Sequence, residues 1–470
     1  MANPIAYIAI IIWPLIILYL IRRYGFQAGA LMGLLGAYMF LPAGFKINLP
    51  GIPAFDKFTV TTMTLIGYML LNRKAIGFGT LDKFLKIMFI GFLISPFITA
   101  LTNSERYFFL PGLTLYDGLS DTVGNYLYFL PFLIGVRYFR SYESQQLLFR
   151  YLAIAAIVYA ILTLYEIRMS PHLHRSLYGF FPHSWQQQYR DGGFRAVVFM
   201  GHGLLVAFFL AVGVAIIATM KKTNTKIFSF GHNGIFLLFV FVALMLSKSL
   251  ASLIFGIAAL FAIYFVPNRL VHLGTVVIAI MFIAYPVLSS INLFPHDTLV
   301  EYASIVSDER AESLDYRFTH EENLLNHANN KAIFGWGGWG RNRVRDEVTG
   351  EDLSTTDGRW IITLGVKGWF GYITEFMFIV IPLFLAKKYH KLAKSRSYNE
   401  QFFLAAHALI VAIILVDQMP NASLNPLYWL LIGALLGRTY DLKNSNNIYS
   451  SNQSAALDID EITRLNKSET

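Results

Sequence analysis

The side chains best suited to chemistry lie in one polar stretch of the chain, residues 291–359. Within it, the segment 313–331 has no glycine or proline and carries Arg317, His320 and His327. Their spacing predicts an amphipathic helix with all three on one face. Imidazole as a group ionises near neutral pH, which suits general-base chemistry. His320 is therefore the first candidate for a base and His327 the second.

The same segment does not predict a metal site. The two histidines are two helical turns apart, too far for a chelating pair at positions i and i+4. Arg317 and Glu321 stand at i and i+4 and could form an ion pair. The plainer alternative is an amphipathic loop helix whose charges are solvated.

A glycine-rich turn, residues 334–340, follows this segment. Its four glycines permit positive φ angles and close backbone approach. Tryptophan rings can stack on sugar rings or anchor a segment at the bilayer interface. A guanidinium group can bind two oxygens of a pyrophosphate at once, through two parallel hydrogen bonds. The alternative is an interfacial turn with aromatic anchors. The tryptophans of the turn and the arginines directly after it are Trp336, Trp339, Arg341, Arg343 and Arg345.

Further cations stand at the ends of apolar runs. Arg195 precedes one run, Lys248 lies in a Ser-Lys-Ser turn between two others, and Asp357 and Arg359 lead into another. Glu166 and Arg168 end a run on the same predicted side and would add to the charged residues gathered there. Cations gathered on one side of a membrane favour an anionic partner.

The run that begins after Arg359 carries unusual features of its own. Gly365, Gly368 and Gly371 recur at every third position, which predicts a smooth helix face for close packing. Lys367 and Glu375 lie inside the same run, where ionisable groups are costly and mark either function or structural pairing.

Composition shows what must position these residues. The chain has 470 residues, of which 55% are hydrophobic and only 14% charged. Soluble domains average about 25% charged residues, so a soluble protein is excluded. There is no cysteine, which excludes disulfides, iron–sulfur clusters and thiolate zinc sites. The net charge of +9 does not indicate nucleic-acid binding, because the basic residues form short clusters between apolar runs.

The apolar runs predict an all-α, polytopic transmembrane helical bundle of about 12–14 spans. It forms a single domain, residues 1–443, with the long polar loop 291–359 containing short helices and a flexible tail, 444–470. The predicted runs are 5–21, 26–43, 59–71, 84–101, 122–136, 147–166, 196–219, 232–246, 250–266, 270–290, 360–386, 401–417 and 424–437.

Basic residues fall on every second connection, from Arg22 and Arg23 to the block 387–396 and Arg438. By the positive-inside rule these connections are cytoplasmic. The rule predicts an outside N-terminus, a cytoplasmic C-terminus and an outer location for the loop 291–359.

The order of these features along the chain resembles that of the O-antigen ligase and Wzy-type polysaccharide polymerase superfamily, which are membrane glycosyltransferases of the GT-C kind. The resemblance covers roughly residues 120–440. It rests on Arg195 before a span, the Ser-Lys-Ser turn, and a large outer loop with Arg317, a histidine-bearing helix and the glycine-rich turn. Ligases of the family often have a His-Asn pair near the end of that loop. At the corresponding position this chain has the sequence Asp357-Gly-Arg-Trp, and this difference from the ligases is similar to what the polymerases of the family show.

The resemblance implies a function and a location. The protein would join oligosaccharide repeat units carried on undecaprenyl pyrophosphate, at the periplasmic face of the bacterial inner membrane, without metal or other cofactor. The loop 291–359 would be periplasmic. Other partners would be membrane lipids and the flippase and chain-length regulator of the same pathway, but no nucleic acid. The product would be an exopolysaccharide, a capsule or an O-antigen.

Candidate roles follow from this reaction. For catalysis we consider Arg317, His320 and His327, with Asp357 as a less favoured base. The expected contacts to pyrophosphate or glycan are Arg195, Arg317, Arg359, Lys248, Arg341, Arg343, Trp336 and Trp339.

Two alternatives remain open at this point. A ligase would transfer finished glycan to lipid A core or another acceptor from the same donor. A transporter or flippase of lipid-linked glycan belongs to another class, but the chain shows no paired half-sequences with matching broken spans.

Overall fold

Apolar runs of membrane-spanning length become helices, because a helix satisfies every backbone hydrogen bond within its own segment. The computed structural model describes residues 2–49, 52–190, 192–229 and 231–445. Each of the thirteen predicted runs overlaps a helix there. The helices are Pro4–Tyr24, Phe26–Phe40, Thr59–Leu71, Lys83–Leu101, Leu115–Tyr138, Tyr142–Met169, Leu173–Tyr178, Gly203–Lys222, Asn233–Leu246, Leu250–Phe265, Asn268–Ser290, His296–Val306, Asp308–Asn329, Arg359–Arg396, Tyr398–Asp417 and 426–445.

The all-helical bundle is confirmed. Seven helices within the described ranges are long and apolar enough to cross a membrane, and four apolar helices are shorter. The chain is thus a multi-pass membrane protein, while the count of 12–14 spans stays a prediction. The strands in the described part of the chain form two short antiparallel pairs. Ile47–Leu49 pairs with Ile52–Phe55, and Tyr189–Arg190 pairs with Gly193–Phe194. Most of the tail predicted to be flexible, residues 446–470, lies outside the described residues.

The centre of the bundle is formed by helices Gly203–Lys222 and 426–445, whose side chains are buried on nearly all faces. Small residues bring the second of these against helix Leu115–Tyr138: a Cβ placed on Gly433 would lie 2.0 Å from the Phe132 carbonyl oxygen. By contrast, helix Pro4–Tyr24 is at the periphery and exposes an apolar face. This face suits contact with lipid.

One predicted boundary is wrong. The run 196–219 predicted a helix from its first residue, but the helix begins at Gly203. The preceding residues form an irregular segment that Glu166 holds in place, because its carboxylate accepts hydrogen bonds from the Val197 and Val198 N–H groups at 2.8 and 2.7 Å. The Leu173 N–H donates to the other carboxylate oxygen at 2.9 Å. Glu166 is fully buried and has a structural role.

A second difference concerns the glycines of the run 360–386. Helix Arg359–Arg396 is broken at Gly368, where φ is 63° and ψ is −169°. The prediction that the three glycines form one smooth face of a continuous helix is therefore wrong, since Gly368 separates two helical halves. The bend is sharp: Arg359 contacts Glu375, although a straight helix would separate residues sixteen positions apart by roughly 24 Å.

The glycine-rich turn fills this break. A Cβ on Gly335 would lie 2.5 Å from the Gly368 nitrogen, so the two backbones meet only because both residues are glycine. Four hydrogen bonds satisfy the backbone groups that the break releases. They are Trp336 N to Gly365 O (2.8 Å), Gly337 N to Val366 O (2.9 Å), Trp369 N to Ala332 O (2.8 Å) and Phe370 N to Ile333 O (3.0 Å).

Candidate active site

Two adjoining cavities lie between the long polar loop and the helix bundle. The larger cavity has a volume of about 760 Å³ and the smaller one about 280 Å³. They share four lining residues, Arg317, Thr355, Asp357 and Pro420, so the junction between them is built from the helix Asp308–Asn329 and two loop segments.

Arg317 and Asp357 form an ion pair at this junction, with 3.7 Å between guanidinium and carboxylate. Their side chains are 39% and 43% exposed, so both charges remain accessible from the cavities. The sequence allowed an ion pair between Arg317 and Glu321 on the same helix, but the carboxylate in ion-pair contact with Arg317 is Asp357. An exposed ion pair of this kind contributes little stability and can open to accept an anion.

Arg195 lines the larger cavity together with Arg317. It is 5% exposed, and its guanidinium donates two hydrogen bonds to the Lys248 carbonyl oxygen, at 3.1 and 2.9 Å. Lys248 itself has a positive φ of 54° in the short turn between helices Asn233–Leu246 and Leu250–Phe265. The turn therefore fixes the orientation of Arg195.

The larger cavity is also lined by further polar side chains, beside the apolar Leu204 and Leu205. His183 and His202 pack with ring centroids 4.7 Å apart. Burial lowers the pKa of His202 to about 4, and the neighbouring His183 and Arg195 act in the same direction. Asp417 is 2% exposed; its Oδ1 accepts from Asn421 at 2.8 Å, and its Oδ2 has no hydrogen-bond partner among the described residues.

His320 lines the smaller cavity, as the helix face predicted. Its Nδ1 lies 3.4 Å from the Thr355 N–H, and its ring stands edge-on to Tyr316 at 4.2 Å. The helix Asp308–Asn329 thus carries Arg317 and His320 towards the same pair of cavities. Four aromatic side chains dominate the rest of the lining, Tyr285, Phe294, Tyr316 and Phe318.

Glu321 was considered only as a partner for Arg317, yet it lies in the smaller cavity. The Tyr285 hydroxyl donates to its Oε2 at 2.8 Å. Burial raises the pKa of Glu321 to about 7, although the hydrogen bond from Tyr285 and the charge of Arg317 oppose the shift. The sequence did contain a signal for this burial. Glu321 stands one helical turn after Arg317, on the helix face that also carries Leu324, and Leu324 is buried.

Arg359 is not among the described side chains that line the two cavities. Its Nε and Nη2 donate to Glu375 Oε1 at 2.8 and 2.6 Å, and Lys367 donates to Glu375 Oε2 at 2.9 Å. Glu375 is fully buried. These three residues form a compact ionic cluster across the helix break, which supports the structural interpretation of Lys367 and Glu375.

His327 packs against the glycine-rich turn and is not among the described residues that line the two cavities. Its ring stacks on Trp336 with centroids 4.3 Å apart, and its Nε2 lies 3.0 Å from the Arg341 carbonyl oxygen. Burial lowers the pKa of His327, while the contact with that carbonyl opposes the shift. The indole N–H of Trp336 donates to the His327 carbonyl oxygen at 2.8 Å. Both side chains thus hold the turn in place.

The arginines after the turn are also engaged within the loop. Arg341 is fully buried and donates to the carbonyl oxygens of Trp336 and Pro111, at 3.2 and 3.0 Å. Arg343 forms an ion pair with Asp352. The predicted ligands Trp336, Arg341 and Arg343, together with the exposed Trp339, are absent from the described lining of both cavities.

No protein-family model matches this chain, and no curated protein matches it. Within the described ranges, no group of three or more His, Asp or Glu side chains could hold a metal ion. The geometry of the two cavities is therefore the basis for any functional conclusion.

Proposed function

We propose that this protein is a membrane glycosyltransferase that polymerises oligosaccharide repeat units carried on undecaprenyl pyrophosphate. It acts at the periplasmic face of the bacterial inner membrane. The observation that carries the proposal is the presence of two guanidinium groups, Arg195 and Arg317, in the lining of one cavity of about 760 Å³. They come from segments more than a hundred residues apart in the chain.

The larger cavity would hold the donor. A pyrophosphate ester is a good leaving group when positive charge stabilises it, and guanidinium forks bind its oxygens in pairs. Such contacts are worth more in a cavity with little water than in bulk solvent. Arg317 would exchange part of its contact with Asp357 for a phosphate oxygen. Lys248 would act through Arg195, whose orientation its carbonyl oxygen fixes.

The reaction needs a nucleophile beside the donor. An acceptor hydroxyl attacks the anomeric carbon, the bond from that carbon to the phosphate oxygen breaks, and lipid pyrophosphate departs. A base must then take the hydroxyl proton. His320 and Asp357, both suggested for this role by the sequence, line the junction or the smaller cavity. Positioning of the two sugars side by side contributes to the rate as well, because it converts a bimolecular encounter into an effectively intramolecular step.

The test uses purified wild-type protein in detergent with lipid-pyrophosphate-linked repeat units and no vesicles. We expect a ladder of longer glycans on gels. Replacing Arg195 or Arg317 by Gln should slow chain growth by about 10²–10³-fold, the usual effect of losing one group that stabilises a developing anion. Arg175→Gln is the matched control, because Arg175 is exposed and precedes Arg195 in the same connection.

Other results would favour the alternatives. Transfer of glycan only when lipid A core is added, without chain growth, would assign the protein as a ligase. Absence of any transfer in detergent, with movement of lipid-linked glycan across vesicles, would assign a flippase. Equal rates for the Arg195, Arg317 and Arg175 variants would refute the assignment of the pyrophosphate site.

A further inference from the structure

Resting on the proposed function, we propose that the smaller cavity binds the acceptor sugar and that Glu321 accepts the proton of the attacking hydroxyl. The proposal concerns a substrate site and a catalytic group that the sequence did not assign. It starts from the position of Glu321 in the lining of a cavity that meets the larger one at Arg317 and Asp357.

The smaller cavity has the lining expected for a sugar. Tyr285, Phe294, Tyr316 and Phe318 contribute flat faces, while His320 and Glu321 contribute polar atoms. Apolar faces of a sugar ring pack on aromatic side chains, and a few placed polar groups orient its hydroxyls. The volume of about 280 Å³ is near the lower end for small-molecule pockets, which start at about 300 Å³. One ring at a time therefore fits better than a long chain.

Glu321 stands next to the place where the donor would react. It is one helical turn after Arg317, the guanidinium shared by both cavities. One carboxylate oxygen, Oε2, accepts the hydrogen bond from Tyr285, so the side chain is oriented by the helix Asn268–Ser290. Because Glu321 also lines the smaller cavity, its carboxylate is within reach of a sugar hydroxyl bound there.

The two residues suggested earlier are less suited to the proton transfer. Asp357 is ion-paired with Arg317, so its carboxylate is already engaged by the cation shared by both cavities. His320 has its Nδ1 against the Thr355 N–H and its ring against Tyr316. The hydrogen-bonding neighbours of Glu321 are the Tyr285 hydroxyl and the Trp360 indole, and neither is charged. A base is most effective when its pKa lies near the working pH. Burial raises the pKa of Glu321 to about 7.

Several titratable or charged groups face Glu321 from the elements packed around it. Its own helix contributes Arg317 and His320, and the loop before Arg359 contributes Asp357. Tyr285 comes from helix Asn268–Ser290, and its hydroxyl also lies 3.4 Å from His296 Nε2 at the start of the next helix. The charge of Asp357 raises the pKa of Glu321, and the charge of Arg317 lowers it.

The step balances without a further reactant. The acceptor oxygen forms a bond to the anomeric carbon, and the bond from that carbon to the phosphate oxygen breaks. The bonding electrons leave with lipid pyrophosphate, which Arg195 and Arg317 stabilise. The hydroxyl proton moves to Glu321, and solvent removes it after the product has left.

The experiment measures chain growth by purified wild-type protein and by Glu321→Gln between pH 5 and 9. Wild-type rates should rise with pH through about 7, and Glu321→Gln should lose about 10²–10⁴-fold in rate together with this rise. Glu322→Gln is the matched control, because the neighbouring carboxylate is exposed. Tyr316→Ala should raise the acceptor concentration needed for half-maximal rate.

A second variant covers the case in which Glu321→Gln does not fold. Tyr285→Phe removes the hydrogen bond to the charged carboxylate, so the rise in rate should move to higher pH, an effect that a purely structural role would not produce. The inference is overturned if Glu321→Gln matches Glu322→Gln, if the rise survives in Glu321→Gln, or if Tyr285→Phe leaves its midpoint unchanged. If wild-type protein is inactive on every lipid-linked glycan, the proposed function fails and this inference with it. An active wild type with a silent Glu321→Gln substitution overturns this inference alone.

Discussion

The ionic cluster at the helix break makes a quantitative prediction about stability. Glu375 is fully buried and accepts three hydrogen bonds, two from Arg359 and one from Lys367, between 2.6 and 2.9 Å. The substitution Glu375→Gln keeps the shape of the side chain and removes its charge. The two cations then lose the carboxylate that pairs with both of them.

The expected loss is large. Removing one partner of a buried ion pair costs about 3–5 kcal/mol, because the remaining charge is left without compensation. The Lys367 and Arg359 side chains are 12% and 27% exposed, so water relieves part of the penalty. We therefore expect about 3 kcal/mol, which is more than a hundred-fold in the unfolding equilibrium constant.

The control is an exposed ion pair in the same loop region. Arg343 and Asp352 have side chains that are 40% and 30% exposed, and such pairs contribute about 0–1 kcal/mol. Unfolding by SDS in mixed micelles, followed by tryptophan fluorescence, gives the free energy of unfolding for Glu375→Gln and Asp352→Asn. Replacing all three cluster residues by apolar ones should recover most of the loss. If the two single variants differ by less than about 1 kcal/mol, the account of the cluster is refuted.

Three further predictions use the same measurement. Gly368→Ala should destabilise the protein by about 1–3 kcal/mol or more, because φ is 63° and a Cβ would lie 2.4 Å from the Ile333 carbonyl. The control Gly274→Ala, on a helix with open space around the added Cβ, should be neutral or stabilising. Equal effects of the two substitutions would contradict this account. His327→Gln should lower stability while the folded protein keeps its rate of chain growth, and a hundred-fold lower rate would restore His327 as a candidate base. Glu321 should lower the free energy of unfolding by up to about 3 kcal/mol between about pH 4.5 and 7, because its raised pKa makes the native state hold more protons than the unfolded chain in that window. The lowered pKa of His202 acts in the opposite direction, so the contribution of Glu321 is measured as the difference between wild type and Glu321→Gln. Identical pH dependences of the two proteins would contradict it.

The candidate site shows where sequence pattern is informative and where it is not. Helical periodicity in the segment 313–331 correctly predicts a helix, and His320 and Arg317 both reach the cavities. Periodicity says nothing about which neighbour covers each face, so it did not separate His320 from His327. The stacking of His327 on Trp336 depends on the fold of the glycine-rich turn, which no local rule predicts.

The charged residues of the run after Arg359 show the same limit. Arg359 was grouped with Arg195 because both stand at span ends. Its guanidinium instead turns to Glu375, since the break at Gly368 brings residues sixteen positions apart into contact. The glycines were correctly recognised as permitting close approach, but the spacing alone suggested a continuous helix. The partner that fills the break is a distant loop segment.

By itself the sequence determined that the chain is a multi-pass bundle of helices, because apolar runs of this length have few other ways to satisfy their backbone in a membrane. It also determined which segments are helical and which long loop carries the polar side chains. Tertiary structure alone decided which cations share a cavity, that Glu321 is buried beside them, and that a loop is inserted into a broken helix. The physical reason is that helix formation depends on hydrophobicity and hydrogen bonds along one segment, whereas a site depends on contacts between segments that no local pattern records.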